Sequence, residues 1–342
     1  MAEKKNKLHG AFPETMESGP GTQSKLFDTI LQGNVTNELV SLKSKPGNTK
    51  TDQITGETII SRGDLEVSFP DLTSAKSMRV STAKLFDAIA VAFTESSRSS
   101  PLVEIPLTEY MQKCGIKDRK EAFKRAREDL ETLGRAKITY KTPVKTGRGK
   151  KGEAGGAFMD VYICAAKGLP RDGIISFRFT EPFFSLLKNY TPMPYPPQLW
   201  TIPPDKHPHA YYLLRKISTL KNMNIGDNNE DIIAVKTLIN ASPAFPDVES
   251  VASGNRNFSA RFIDPFERDM DFLSPSFTWE YCKSKGENLT EQELENMDFN
   301  MFMRLLVRIK WVQYPNEAER RAAKAAAKAT AKRKKNKKPP EK

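Results

Sequence analysis

Apolar positions in the middle of the chain recur at helical spacing, and short apolar runs separate them. Ser81 precedes a stretch that puts Leu85, Ile89, Ala92 and Phe93 on one face, the pattern of an amphipathic helix with a serine cap. Residues 102–106 read as a short strand. Thr108 then caps a short helix from Glu109 to Cys114, and Gly115 stops it, because glycine reaches the left-handed conformation in which helices commonly end. A longer helix is expected from Asp118 to Leu133, ended by Gly134. Its apolar face holds Ala122, Phe123, Ala126, Leu130 and Leu133, while Lys117, Lys120, Lys124 and Arg127 lie on another face. Two apolar runs follow as strands, residues 136–140 and 158–166, on either side of a loop rich in Gly, Pro and Lys.

The same order returns farther along. Between Pro192 and Pro204 six of thirteen residues are proline, the composition of a stiff, extended spacer. Pro208 opens a helix through Leu213, Leu214, Ile217 and Leu220. Residues 231–235 match the short strand and residues 236–241 the short helix. From Asn257 to Leu273, Phe258, Phe262, Phe266, Met270 and Leu273 share one face. Pro265 falls inside that stretch and either kinks the helix or opens a new one. Residues 277–282 and 305–314 supply two more strands. The intervals agree, 25 residues from Thr82 to Leu107 and 27 from Pro208 to Val235, so the plan is an architectural repeat without evident sequence identity. Residues 1–75 are polar, with short apolar stretches at 38–42 and 65–69, and read as a loosely structured lead-in.

With 342 residues, 38% of them hydrophobic, the chain is long enough for two domains with cores of their own. Its net charge of +12 points to an acidic partner, nucleic acid ahead of an anionic membrane surface. The charge is uneven. Residues 317–342 hold eleven Lys and Arg against three Glu, a local +8, and the other 316 residues carry +4. That tail has good helix formers but no apolar face, so it is expected to be a disordered basic arm that gains structure on a polyanion, or else a solubility tail. A second concentration spans residues 137–151, with six Lys and Arg and no acid. No apolar run approaches the ~18 residues of a membrane span, and nothing apolar follows Met1-Ala2-Glu3-Lys4-Lys5 as a secretory signal would. Cys114, Cys164 and Cys282 are too few and too far apart for a disulfide framework or a zinc site. A cytoplasmic protein with reduced thiols is expected.

Candidate enzymatic chemistry is sparse. Gly147 and Gly152 have the spacing of a phosphate-binding loop, but Glu153 stands where that loop needs Lys and a hydroxyl residue. His207-Pro208-His209, with Tyr211 and Tyr212 nearby, has the residue types of a metal-dependent rolling-circle nickase. There, two histidines on a strand hold the metal and a tyrosine from a later helix attacks the phosphate. Pro208 denies a strand its hydrogen bond, and a helix start explains the same residues without a metal. His9 has no partner nearby in the sequence. No catalytic residues, metal or cofactor are expected.

Helix, strand, short helix, basic amphipathic helix and two-stranded wing is the winged helix-turn-helix plan. The expected fold is therefore α+β, with winged-helix domains at residues 76–190 and 205–316, a Pro-rich linker at 191–204 and the basic tail from 317. The linker would hold the two domains at a fixed separation on successive major grooves. Candidate DNA contacts are Lys117, Arg119, Lys120, Lys124 and Arg127 from the helix and Lys141, Lys145, Arg148, Lys150 and Lys151 from the wing. The second domain offers Arg256, Arg261, Lys283 and Lys285, while Glu267, Asp269 and Asp271 on its long helix would repel phosphates.

This doubled order resembles the Rep-type replication initiators of bacterial plasmids and related mobile elements. The stretch Ser81-Thr82-Ala83-Lys84-Leu85-Phe86-Asp87-Ala88 is similar to that family's opening helix, and Pro106-Leu107-Thr108-Glu109-Tyr110 to the lead into its first helix-turn-helix. Ile263-Asp264-Pro265-Phe266-Glu267-Arg268-Asp269 and Trp279-Glu280-Tyr281-Cys282 resemble the second domain of initiators from Gram-positive hosts. The resemblance covers roughly residues 78–314. It implies binding to repeated origin sites on double-stranded DNA, local bending or melting, and recruitment of host initiator and helicase proteins. It also implies a monomer–dimer equilibrium and repression of the protein's own promoter. In such initiators the second domain is often the main sequence reader, whereas here the first holds the basic helix. A winged-helix repressor on one palindrome is the principal alternative, and RNA binding is disfavoured because few aromatic residues accompany the basic ones.

Overall fold

The computed structural model describes residues 27–326 apart from 46, 63, 97, 142–143, 147–149, 153–157, 247, 249–256, 284–286, 316, 319–320 and 323–324. The fold is mixed α+β and forms two compact units, residues 28–193 and residues 194 onward together with Phe27.

In the first unit β1 (Asp28–Gln32) and α1 (Asn34–Val40) lead into strands β2 (Thr49–Thr51), β3 (Thr58–Arg62) and β4 (Leu65–Phe69). Then come α2 (Leu72–Lys76), α3 (Val80–Glu95), β5 (Leu102–Pro106), α4 (Leu107–Cys114) and α5 (Arg119–Arg135). Strands β6 (Lys137–Lys141), β7 (Val144–Thr146), β8 (Lys150–Gly152), β9 (Phe158–Tyr162), β10 (Cys164–Gly168) and β11 (Ile174–Phe179) follow. Finally α6 (Glu181–Lys188) precedes β12 (Thr191–Tyr195), which pairs with β1. The spacing in α3 predicts one apolar face, yet thirteen of its sixteen residues are buried, because β1, α1, β5 and α5 cover it from several sides. Phe93 on α3 meets Phe179 and Phe184 edge-on at 5.6 and 5.7 Å, a favourable aromatic geometry.

Two antiparallel sheets flank this helix layer, one ordered β2-β3-β4-β6-β9 and the other β10-β11-β5. Residues 28–75 are thus not a loose lead-in. Ile30, Leu31, Val35, Leu39, Ile60, Leu65, Val67 and Phe69 are all buried, and alternate residues of β4 face the core, the period-2 signature of a half-buried strand. The strands expected at 136–140 and 158–166 also find a different place. β6 pairs with β9 inside the five-stranded sheet, while the hairpin that pairs with β5 is β10–β11. Ile175, Phe177 and Phe179 of β11 turn inward with Val103 and Ile105 of β5, and this apolar match selects the later hairpin.

The second unit runs α7 (Gln198–Thr201), α8 (Ala210–Asn224), β13 (Ile232–Ala234) and α9 (Val235–Ala241). A π-helical turn (Ser259–Ile263) leads into α10 (Asp264–Phe272), followed by β14 (Phe277–Cys282), α11 (Glu291–Glu295), α12 (Phe299–Arg304) and β15 (Leu306–Trp311). Pro265 sits in the first turn of α10, where its missing N–H costs nothing, and the wide π turn before it continues the helical path. The sheet order is β13-β15-β14. As in β5-β11-β10, the strand after the first helix pairs with the last strand of the hairpin. The proline-rich stretch is packed into the fold and is not a free spacer: it forms β12 and α7, and Met193, Tyr195, Leu199, Trp200 and Ile202 are buried.

The root of the basic tail is also held. Glu317 and Arg321 are helical. Lys221 on α8, only 3% exposed, reaches Glu230 at 2.9 Å, Asp231 at 2.8 Å and Glu317 at 3.2 Å, and Arg321 pairs with Glu230 and Glu317. Charge pairing anchors this stretch where an apolar face is lacking, so disorder from residue 317 is not what the structure has; residues 327–342 lie outside the described ones. Breaking a buried pair leaves uncompensated charge. Lys221→Ala is therefore expected to destabilise the second unit by about 3–5 kcal/mol, read by denaturant unfolding.

Asp129, a buried carboxylate on α5, accepts hydrogen bonds from Thr82 Oγ1 at 2.6 Å and Ser81 Oγ at 3.1 Å. Burial outweighs these bonds and raises its pKa to about 6. The unfolded chain gives up this proton near pH 4 and the folded chain near pH 6, so stability falls as pH rises through that window. The expected loss is roughly 3 kcal/mol. Asp129→Asn should flatten this decline in melts taken from pH 4 to 7.

Candidate nucleic-acid interface

The candidate surface begins at the turn between α4 and α5. Gly115 ends α4 at φ +65°, in the left-handed region that favours glycine. Asp118 caps α5 by accepting from the backbone N–H of Lys120 at 2.7 Å and of Glu121 at 3.3 Å. Ala122, Ala126, Leu130 and Leu133 are buried, and α5 packs on α3. With that stripe inward, Lys120, Lys124 and Arg127 point to solvent, as do Lys117 and Arg119 just before them.

The acids on the same helix are paired. Glu121 binds Arg125 at 2.5 Å, Glu128 binds Arg79 at 3.1 Å and Glu131 meets Lys167 at 3.5 Å. Lys117, Lys120, Lys124 and Arg127 have no ion pair among the described residues. The Arg119 guanidinium donates to the Asp172 carbonyl at 3.5 Å. Neutralising the acids within the fold leaves the exposed stripe of α5 cationic.

A groove runs along each flank of this stripe. One, of about 600 Å³, lies toward α2 and is lined by Thr73, Arg79, Lys124, Arg127 and Arg135 among others. The other, of about 320 Å³, lies toward the β10–β11 turn and is lined by Phe123, Arg127, Lys167 and Arg171 among others. Arg79, Arg135, Lys167 and Arg171 were not among the residues expected from the sequence. Lys167 and Arg171 flank Pro170, a turn signal between two strands that would have exposed them; Arg79, at the cap of α3, meets α5 through Glu128, and Arg135, the last residue of α5, meets α2 through Ser74, contacts that no local pattern shows.

The other expected residues are dispersed. Lys141, Lys145, Lys150 and Lys151 lie on β6, β7 and β8, with Lys145 opposite Lys151 in register, while Arg148 lies outside the described residues. In the second unit Arg261 is exposed in the π turn, but Lys283 is bound to Glu293 at 2.7 Å; Arg256 and Lys285 lie outside the described residues. Lys283 and the Thr290 backbone N–H hold the Glu293 carboxyl down at about 2. The acids expected to repel phosphates are employed in the fold. Tyr281 donates to Glu267 at 3.2 Å, Trp279 to Asp271 at 3.0 Å and the His209 backbone to Asp269 at 2.8 Å.

The histidine pair serves packing. His207 stacks on Phe272 at 3.8 Å and His209 on Phe245 at 3.7 Å, and His209 Nδ1 bonds Ser242 Oγ at 3.1 Å. Tyr211 is fully buried and Tyr212 nearly so. Among the described residues no group of three His, Cys, Asp or Glu is placed to hold a metal, and no helix is long and apolar enough to cross a membrane.

No family model and no curated protein matches the chain. Among solved structures it is similar to two of domains 2 and 3 of RctB. One, a selenomethionine derivative, is 13% identical, with a TM-score of 0.40 over 80% of this chain and 98% of that one. The other is 12% identical, with a TM-score of 0.39 over 83% and 99%. A likeness this distant carries no argument about function.

Proposed function

We propose that this chain is a sequence-specific, non-enzymatic binder of double-stranded DNA built on two winged-helix domains, acting as a replication initiator on repeated sites. In this reading α3, β5, α4, α5 and the β10–β11 hairpin form the first winged helix, and α8, β13, α9, α10 and the β14–β15 hairpin the second. The observation that carries it is the exposed stripe of Lys120, Lys124 and Arg127, left cationic because the neighbouring acids are paired. An α-helix fits the major groove, and long cationic side chains on it reach base edges and phosphates. Lys120 and Lys124 lie in the N-terminal half of α5, the part that meets base edges in this geometry. The second unit, whose candidate contacts are fewer and partly paired, plays the lesser part in reading sequence. The choice of initiator rests on the doubled order and the local stretches named above. A nickase is disfavoured because both candidate tyrosines are buried and both histidines are stacked on phenylalanines.

A nuclease footprint of the full chain on DNA flanking its own gene, at physiological salt with competitor DNA, tests this. Protected direct repeats at regular spacing are expected. A single protected palindrome over the promoter would instead assign an autoregulating repressor, and no protection would refute specific binding there. Arg127→Ala is expected to cost about 1–3 kcal/mol on the specific site and to relax preference at one position.

A further inference from the structure

We propose that the groove between α2 and α5 seats the sugar-phosphate backbone of one DNA strand, with Arg79 and Arg135 as phosphate-contacting residues. The proposal rests on the duplex-binding reading above and extends it to Arg79 at the cap of α3 and Arg135 at the end of α5, which share a groove with α2, a helix from the segment before the first domain. A helix lying in the major groove, about 12 Å wide, has a backbone strand on either side. α5 has a cationic groove on each flank, and Arg127 lines both. The β10–β11 turn, with Arg171, borders one; α2 borders the other.

The chemistry of the α2 groove suits a phosphodiester. Its four cations, Arg79, Lys124, Arg127 and Arg135, outnumber its three carboxylates: Glu128 is held by Arg79 and Glu131 by Lys167, and Asp71 accepts from the Ser74 backbone N–H at 2.7 Å and the Ser74 hydroxyl at 2.9 Å. Lys124, Arg127 and Arg135 have no carboxylate within ion-pair distance among the described residues. Arg135 Nη1 donates to Ser74 Oγ at 3.2 Å, which orients the guanidinium on the groove wall and leaves further N–H donors for a phosphate. The Arg79–Glu128 pair is half-exposed, 53% and 45%, and engages only Nη2 of the guanidinium, so the other N–H groups can meet a phosphate while Glu128 stays paired. The exposed Thr73 adds a hydroxyl of the kind that commonly contacts phosphate.

The test is a salt titration of duplex binding by the full chain, on the footprinted site and on a random duplex. Arg79→Gln with Arg135→Gln should weaken both by about tenfold at equal salt and make the log–log salt slope shallower by about 1–2, with the footprint boundaries kept. Thr73→Glu is a second variant. It adds a negative charge at an exposed position in the first turn of α2, where acids are tolerated, and should weaken both duplexes alike even if the double variant proves unstable. Unchanged affinity and slope in a folded variant, with the parent still binding, would overturn the groove assignment alone. Loss confined to the specific site would also overturn it, since backbone contacts do not discriminate sequence. A parent that binds neither duplex would overturn the duplex-binding reading and this one with it.

Discussion

The rotation of α5 about its own axis is the constraint on which the candidate surface depends. Ala122 and Ala126 are both fully buried, and small side chains at these positions let α5 lie close on α3. Leu130 and Leu133 continue the stripe, and the hydrogen bond from Thr82 to Asp129 pins the two helices in register. At 3.6 residues per turn, burying 122, 126, 130 and 133 leaves 120, 124 and 127 facing outward. The cationic face is thus a consequence of core packing, and disturbing that packing would move every contact together.

Around this helix the first unit divides its charges by location. Acids on α5 are tied to partners on α3's cap, on β10 and on α5 itself, while the cations between them are left to solvent. The second unit repeats the strand order but uses its polar groups differently. Glu267, Asp269 and Asp271 are joined to Tyr281, His209 and Trp279, so its long helix is committed to internal bonding. Two units of like topology therefore present unlike surfaces, and the difference lies in where each helix finds partners for its acids.

The second unit also shows how charge can substitute for apolar packing. Lys221, almost fully buried, gathers carboxylates from its own helix's following loop and from Glu317. Residues with no apolar face are held to the fold by this cluster. Hydrophobic periodicity carries no trace of such a contact, because its partners lie nearly a hundred positions apart.

Local patterns determined a good part of this protein. The spacing of Ala122, Ala126, Leu130 and Leu133, the cap at Asp118 and the stop at Gly115 specify two helices, the break between them and a basic outer face, because capping and helical periodicity act over a few residues; their outer ends differ from the local signals, since α4 starts at Leu107, ahead of Thr108, and α5 runs through Gly134 to Arg135. The doubled order of helices and strands was legible for the same reason. Only the tertiary structure decided which hairpin pairs with β5, that residues 28–75 belong to the core, that the proline-rich stretch packs, and that α2 and the β10–β11 turn border α5. Each depends on contacts between residues far apart in the chain, where many pairings are locally equivalent and the burial of a whole apolar surface chooses among them.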